Sequence, residues 1–296
     1  MKAGFVALLG LPNSGKSTLA NALVGEKISI VSAKPQTTRR RIHGILTTPT
    51  AQLVFVDAPG VVGPTTSLNE FLHREYQAVL RDSDVVMVIV NLDATSPGFI
   101  DRLAETAREA KKPWIVVATK SDLTEAQRTD YVRAKFAIEQ IPVAVVSAEK
   151  DPAHACAEIL PLIEPLLPEA PAPLYDADEY TTENMRQLAA EWIREQAFEH
   201  LAQEIPYSLA VRVTSFSEAD SGPIRIHADL LVEKDNHKVI VIGKGGQMIK
   251  AIGIAARAQL EKLLGRQVYL ELHVVVRPSW TKNLRLMQEL GYAVPN

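Results

Sequence analysis

Cysteine is all but missing from this sequence. Cys156 stands alone, so no disulfide can form within the chain, and a reducing, cytosolic compartment is the expectation. Nothing approaches 18 consecutive apolar residues, which argues against a transmembrane helix. The opening Met1–Phe5 runs straight into a strand pattern, so no cleavable leader is expected. A dominant charge is lacking too: the formal net charge is -3. Within it sits an asymmetry, since residues 201–296 hold 12 Lys/Arg against 9 Asp/Glu while the rest is acidic. A mildly basic tail on an acidic body directs the search for a nucleic-acid partner to that tail.

With 47% apolar and 23% charged residues over 296 positions, the chain reads as a folded protein of two domains. The first part alternates strands and helices. Strands are expected at 3–9, 41–47, 51–56, 85–90, 114–118 and 143–146, with Lys27–Val31 as a returning segment. Helices are expected at 16–24, about 67–81, 97–111, 125–138 and 154–166. The runs Val85–Val90 and Trp114–Ala118 are continuously apolar, as strands buried on both faces of a parallel sheet must be. This is a three-layer α/β domain over residues 1–168. Four prolines fall within 165–173, so 169–182 reads as a stiff linker. Beyond it, 183–296 carries a long amphipathic helix at 183–203 and alternating strands at 207–213 and 224–230. A buried-looking strand His237–Ile242, a helix at 247–264 and a strand Val268–Val276 follow, with a short terminal helix at 282–290. This second part is α+β.

Gly10-Leu11-Pro12-Asn13-Ser14-Gly15-Lys16-Ser17 fits G-x-x-x-x-G-K-[ST] between a strand and a helix, the setting in which that pattern is a phosphate cradle. Its glycines let successive backbone N–H groups converge on phosphate oxygens. Lys16 supplies a positive charge to the terminal phosphates, Ser17 a hydroxyl to Mg²⁺, and the helix beginning there, with Thr18, its dipole. Gly10, Asn13, Ser14, Gly15, Lys16, Ser17 and Thr18 are the candidate phosphate contacts. Asp57-Ala58-Pro59-Gly60 ends a strand, where Asp57 can orient metal-bound water and Gly60 can give its N–H to the terminal phosphate. Thr37 and Thr38 lie in the loop between; a hydroxyl there completes Mg²⁺ coordination only when the loop closes on a triphosphate.

Thr119-Lys120-Ser121-Asp122 follows the next apolar strand. The Asp122 carboxylate can accept both guanine N1–H and the 2-amino group, a pair that adenine lacks. The Lys120 stem can cover the base plane, and Ser147-Ala148-Glu149 can direct a backbone N–H to guanine O6. In the tail, Gly243-Lys244-Gly245-Gly246 is a G-x-x-G loop ahead of a helix. Small residues there let a nucleotide backbone approach. Lys244 and Lys250 attract phosphate, and Ile240, Ile242, Ile249 and Ile252 are the candidates for an apolar groove under single-stranded bases. Arg277, Lys282 and Arg285 can extend a basic path.

On these motifs, in this order, the chain resembles the translation-factor-related GTPases and specifically the Era family. The likeness takes in Gly10–Ser17, Thr38 within Gln36-Thr37-Thr38-Arg39, Asp57–Gly60, Thr119–Asp122, Ser147-Ala148 and the Gly243–Gly246 loop. The resemblance implies a P-loop GTPase domain followed by a type II KH domain, covering essentially the whole chain. It implies Lys16, Thr38, Asp57 and Gly60 as the catalytic set, and Mg²⁺ held by Ser17, Thr38 and, through water, Asp57. Asn13 is the position that would help hold K⁺. It also implies a partner, the 3′ end of 16S rRNA in the assembling small (30S) ribosomal subunit. The protein would be a cytoplasmic monomer, with some relatives peripheral at the inner face of the membrane.

Two positions bear on chemistry. The family has asparagine where Thr119 stands, tying the base loop to the phosphate loop. Threonine lacks the amide, so either weaker nucleotide binding or a compensating contact is expected, with Asp122 keeping the guanine preference. Val61 directly follows Asp57–Gly60 where Ras-like enzymes carry glutamine, so hydrolysis by a polarising glutamine is excluded and a slow intrinsic rate is expected. A scaffold that binds guanine nucleotide with little turnover is the rival reading; a metabolic P-loop kinase would leave Asp122 and the second domain without roles.

Overall fold

A computed structural model describes residues 1–32, 34, 37–60, 67–218, 222–290 and 292; Gln36 and Val61 lie outside them. The described residues divide into two units at the junction of Thr182 and Glu183, with 67–71 grouping with the second. Among them, no single helix is long and apolar enough to cross a membrane.

The first unit begins with β1 (Lys2–Gly10), α1 (Lys16–Val24), β2 (Ile42–Thr47) and β3 (Ala51–Asp57). Next come α2 (Ser67–Asp82), β4 (Val85–Asn91), α3 (Pro97–Glu109) and β5 (Trp114–Thr119). It closes with α4 (Ala126–Ala137), β6 (Val143–Val145) and α5 (Pro152–Ile163). The strands form one sheet in the order β2-β3-β1-β4-β5-β6, parallel except for the β2–β3 hairpin. Strand side chains alternate between faces, and the apolar runs divide accordingly. Val6, Leu8, Met87, Ile89, Ile115 and Val117 enter the core under α1 and α5. Ala7, Leu9, Val86, Val88, Val116 and Ala118 enter the core on the opposite face. Both faces are buried, which is why the runs need no polar alternation. β1 lies between β3 and β4, where the strand order reverses, so the loop after β1 opens at a topological switch point, the usual ligand crevice of such sheets.

The returning segment 27–31 forms no strand. Its backbone is bound instead by the Asn21 side chain, whose Nδ2 donates to Ser29 O (2.8 Å) and whose Oδ1 accepts from Ile28 N (3.0 Å) and Ser29 N (2.9 Å). Ile28 and Ile30 are buried, so the alternating pattern is real, but an amide replaces the neighbouring strand.

The proline-rich stretch lies along the first unit. Ala3 N donates to Pro168 O and Ala170 N to Met1 O. The buried Gln52 accepts from Leu174 N (2.7 Å) and Tyr175 N (2.9 Å) and donates to Tyr175 O (2.9 Å). Farther on, Thr181 bridges Gly44 of β2, and Ile45 N donates to Tyr180 O (3.0 Å). The segment thus covers the free edge of β2, satisfying groups that an edge strand otherwise exposes.

The second unit holds α6 (Met185–His200), β7 (Ala210–Ser217), β8 (Ile224–Val232), α7 (Asp235–Ile242), α8 (Gln247–Leu264), β9 (Val268–Val276) and α9 (Leu284–Glu289). An Asn184/Gln187 capping box starts α6. The sheet order is β7-β8-β9, with β7 antiparallel and β9 parallel to β8. Residues 237–242, expected as a strand, belong to a helix: Lys238 N donates to Lys234 O and Gly243 N to Val239 O. His237 and Val241, four apart, are buried while Val239 and Ile240 are exposed, a helical division of faces. A short apolar run does not distinguish the two states by itself. The order is therefore α-β-β-α-α-β, and Gly243–Gly246 joins two helices.

Candidate nucleotide site and nucleic-acid interface

The loop after β1 is tight for stated reasons. A Cβ at Gly10 would lie 2.5 Å from Ser14 Oγ and 2.9 Å from Ile89 O, and Gly15 sits at φ 91° ahead of α1. Asn13 also has positive φ, 61°. Lys16 is buried, its Nζ donating to Gly10 O (3.2 Å) and Leu11 O (2.9 Å). Burial pushes its ammonium down to about 8, against the pull of the Asp57 charge. Asp57 ends β3 fully buried, and desolvation raises its carboxyl above the usual range despite Lys16.

Thr38 is brought beside both other candidate metal residues. Its Oγ1 lies 2.9 Å from Ser17 Oγ and donates to Asp57 Oδ2 at 3.4 Å. Thr37 is turned aside, its hydroxyl donating to Lys34 O (2.7 Å). Asp57 Oδ1 has no hydrogen-bond partner although buried, and an orphaned buried carboxylate oxygen beside two hydroxyls is the hard oxygen set that Mg²⁺ takes. Gly60 packs on the loop so closely that a Cβ would lie 2.6 Å from Pro12 N; only glycine lets the D-x-x-G turn approach the phosphate loop.

On the base side, Thr119 is buried at the end of β5 and its Oγ1 donates to Ser14 O (2.7 Å), with Val90 O at 3.3 Å. The compensating contact is therefore present: a hydroxyl ties the two loops together. Lys120 takes φ 58°, turning the chain so that Asp122 is exposed. Ser147 Oγ donates to Asp122 Oδ1 (2.6 Å), which fixes the carboxylate and leaves acceptor capacity outward. Ala148 is buried after β6 and Glu149 exposed. Thr18 and Asn13 line the same cavity as Lys16 and Gly60. Asn91, not anticipated from the sequence, braces the loop through Nδ2 to Asn13 O (3.5 Å). Its signal was present, as a polar residue closing the apolar run of β4.

In the second unit, Gly243, Gly245 and Gly246 all have positive φ (73°, 60° and 79°). A Cβ at Gly243 would lie 2.7 Å from Met248 Cβ, whereas Gly245 and Gly246 face open space. Lys244 and Lys250 are exposed, and Ile242 and Ile249 half-buried. Ile249, Lys250, Gly253, Ile254 and Arg257 on α8, with Leu270 and Leu272 on β9, line a groove. Ile252, expected in the groove, is fully buried in the core. The groove face runs along Ile249, Gly253 and Arg257 at four-residue spacing, and Ile252 falls off that line. Arg277 is exposed, its backbone N donating to Val232 O. Lys282 is exposed and Arg285 pairs with Glu289 (3.4 Å).

Comparison with known proteins places both units. A family model described as a 50S ribosome-binding GTPase matches residues 5–120, and one described as a KH domain matches residues 204–281. The GTPase Era of Caldanaerobacter subterraneus subsp. tengcongensis is 42% identical over 296 residues, covering 99% of this chain and 98% of that protein. That of Caldicellulosiruptor saccharolyticus is 39% identical over 294 residues, covering 98% and 97%. Among solved structures, an Era variant from Aquifex aeolicus bound to GDP·AlF4⁻ is 36% identical with a TM-score of 0.90, covering 99% of this chain and all of that one. An Era complex with MgGDPNP and nucleotides 1506–1542 of 16S ribosomal RNA has the same identity and coverage, with a TM-score of 0.89.

Proposed function

Because this chain belongs to the Era family of GTPases, we propose that it is a GTP-driven switch acting in small ribosomal subunit assembly in the cytosol. In this role the Gly243–Gly246 loop and the α8–β9 groove hold the single-stranded 3′ end of 16S rRNA. The protein binds and hydrolyses GTP with Mg²⁺. When bound, the metal supplies charge neutralisation at the phosphates, and Ser17, Thr38 and Asp57 are the residues placed to hold it. The remaining work belongs to the chain. The loop N–H groups and Lys16 bind phosphate oxygens, Gly60 offers its N–H where the terminal phosphate would sit, and Asp122 selects guanine. A valine at 61 brings no acid or base, so the rate rests on positioning and backbone dipoles.

The observation that carries the switch is the continuity of one stretch of chain. Thr38 touches Ser17 and Asp57. Three residues on, Arg41 is forked onto Glu75 of α2 (2.7 and 3.3 Å), and the chain then enters β2. The free edge of β2 pairs with residues 180–181, immediately before the second unit begins. Ordering the Thr38 loop on GTP therefore acts on the strand that anchors the connection to the RNA-binding unit.

The test is paired. Purified protein is expected to turn over GTP and not ATP. Gly245→Asp, which puts a carboxylate into open space on the loop, is expected to abolish binding to a 3′-end RNA oligonucleotide while leaving hydrolysis near parental. Undiminished RNA affinity in that variant would remove the loop from the mechanism.

A further inference from the structure

We propose that Thr119 makes this a guanine site that does not read N7: the base is recognised on its N1, 2-amino and O6 edge alone, and a 7-deazaguanine nucleotide binds as tightly as its guanine counterpart. The proposal rests on the guanine-site reading above and concerns which atoms of the base are sensed. A hydroxyl carries one proton. That of Thr119 is directed at Ser14 O, 2.7 Å away, with Val90 O at 3.3 Å as a second acceptor. The residue is 3% exposed, so turning the proton outward would break the 2.7 Å bond to Ser14 O that ties the two loops. The neighbouring strand end is engaged with the phosphate loop. Asn91 directs Nδ2 to Asn13 O (3.5 Å) and accepts from Asp93 N (2.9 Å) through Oδ1. Asp122 is an acceptor, fixed by Ser147, and meets only the donors on the opposite edge. An asparagine at 119 would differ in kind, since its amide has two N–H groups and could keep the loop tie while offering one to N7.

The experiment compares dissociation constants of GDP and 7-deaza-GDP by calorimetry for the parent, Thr119→Asn and Thr119→Val, with Mg²⁺ present. The parent is expected to show a ratio near one. Thr119→Asn is expected to raise that ratio roughly 3- to 10-fold, the worth of one net hydrogen bond, by tightening GDP alone. Thr119→Val, which removes the hydroxyl at constant shape, is expected to weaken both nucleotides by about tenfold or more and leave the ratio near one, because only the loop tie is lost. A parent that prefers GDP threefold or more overturns the proposal, as does a Thr119→Asn ratio that stays at one. Failure of the parent to bind GDP at all would instead overturn the guanine-site reading beneath it.

Discussion

Lys16 should make nucleotide binding take up a proton. Its ammonium is buried against two backbone carbonyls, which brings it down to about 8 from 10.5. Asp57 opposes the shift without cancelling it, because desolvation outweighs one attractive charge. Between those values the unfolded chain binds more protons than the folded one, so this group makes stability rise with pH across that window. Phosphate does the reverse, since an anion beside Nζ restores the charged form. Binding at about pH 7 then takes up about 0.1 proton, and at about pH 8.5 about 0.75, from the titration of one group at about 8. Affinity falls about fourfold between those two conditions, by the same linkage. Calorimetry of GDP binding in two buffers of different ionisation enthalpy reads the proton count directly. Equal proton uptake at both pH values, or a flat affinity, would show that Lys16 is already charged before nucleotide binds and would refute the reasoning.

Gln52→Leu keeps the volume but removes the three bonds to 174 and 175. At about 1 kcal/mol each, hydrogen exchange at the Leu174 and Tyr175 amides should quicken by about 10- to 100-fold. Global stability should change little, and unchanged exchange would mean that this amide does not anchor the segment. Gly60→Ala must displace Pro12 backbone that a Cβ would approach to 2.6 Å; GTP turnover should drop at least about tenfold with GDP affinity within about threefold, as a displaced N–H donor predicts. Gly243→Ala and Gly245→Ala meet the same positive φ, but only the first meets Met248 at 2.7 Å. Thermal melts should show the first costing about 2–4 kcal/mol and the second about 1, and equal losses would refute the contact argument.

What the sequence made legible follows from how many independent constraints each residue carries. The phosphate loop, Asp57–Gly60 and Asp122 announced themselves because strand ends, glycines and acceptors must coincide there for chemistry; the structure gathers Lys16, Ser17, Thr38 and Gly60 at one crevice with Asp57 beside them, and ties Thr119, three residues before Asp122, to the phosphate loop. Where a pattern carried a single constraint it misled. Val239–Ile242 is as apolar and β-branched as a strand, yet the face divided between Val241 and Val239 shows a helix; only the backbone bonds to Lys234 and Val239 decide the matter. Ile28–Ile30 alternates correctly, but the partner is the side chain of Asn21, which no periodicity reveals. Ile252 sits between groove residues in sequence and beneath them in space. Proline content marked 169–182 as neither helix nor central strand, but could not say that Gln52 and the edge of β2 would bind it. Thr119 is the instructive case, because there the departure from the family pattern was visible and the sequence left two consequences open. A missing amide allows a loss or a substitute contact, and the hydroxyl 2.7 Å from Ser14 O is the substitute. The change then separates two jobs that asparagine combines, keeping the link between loops and giving up the link to the base.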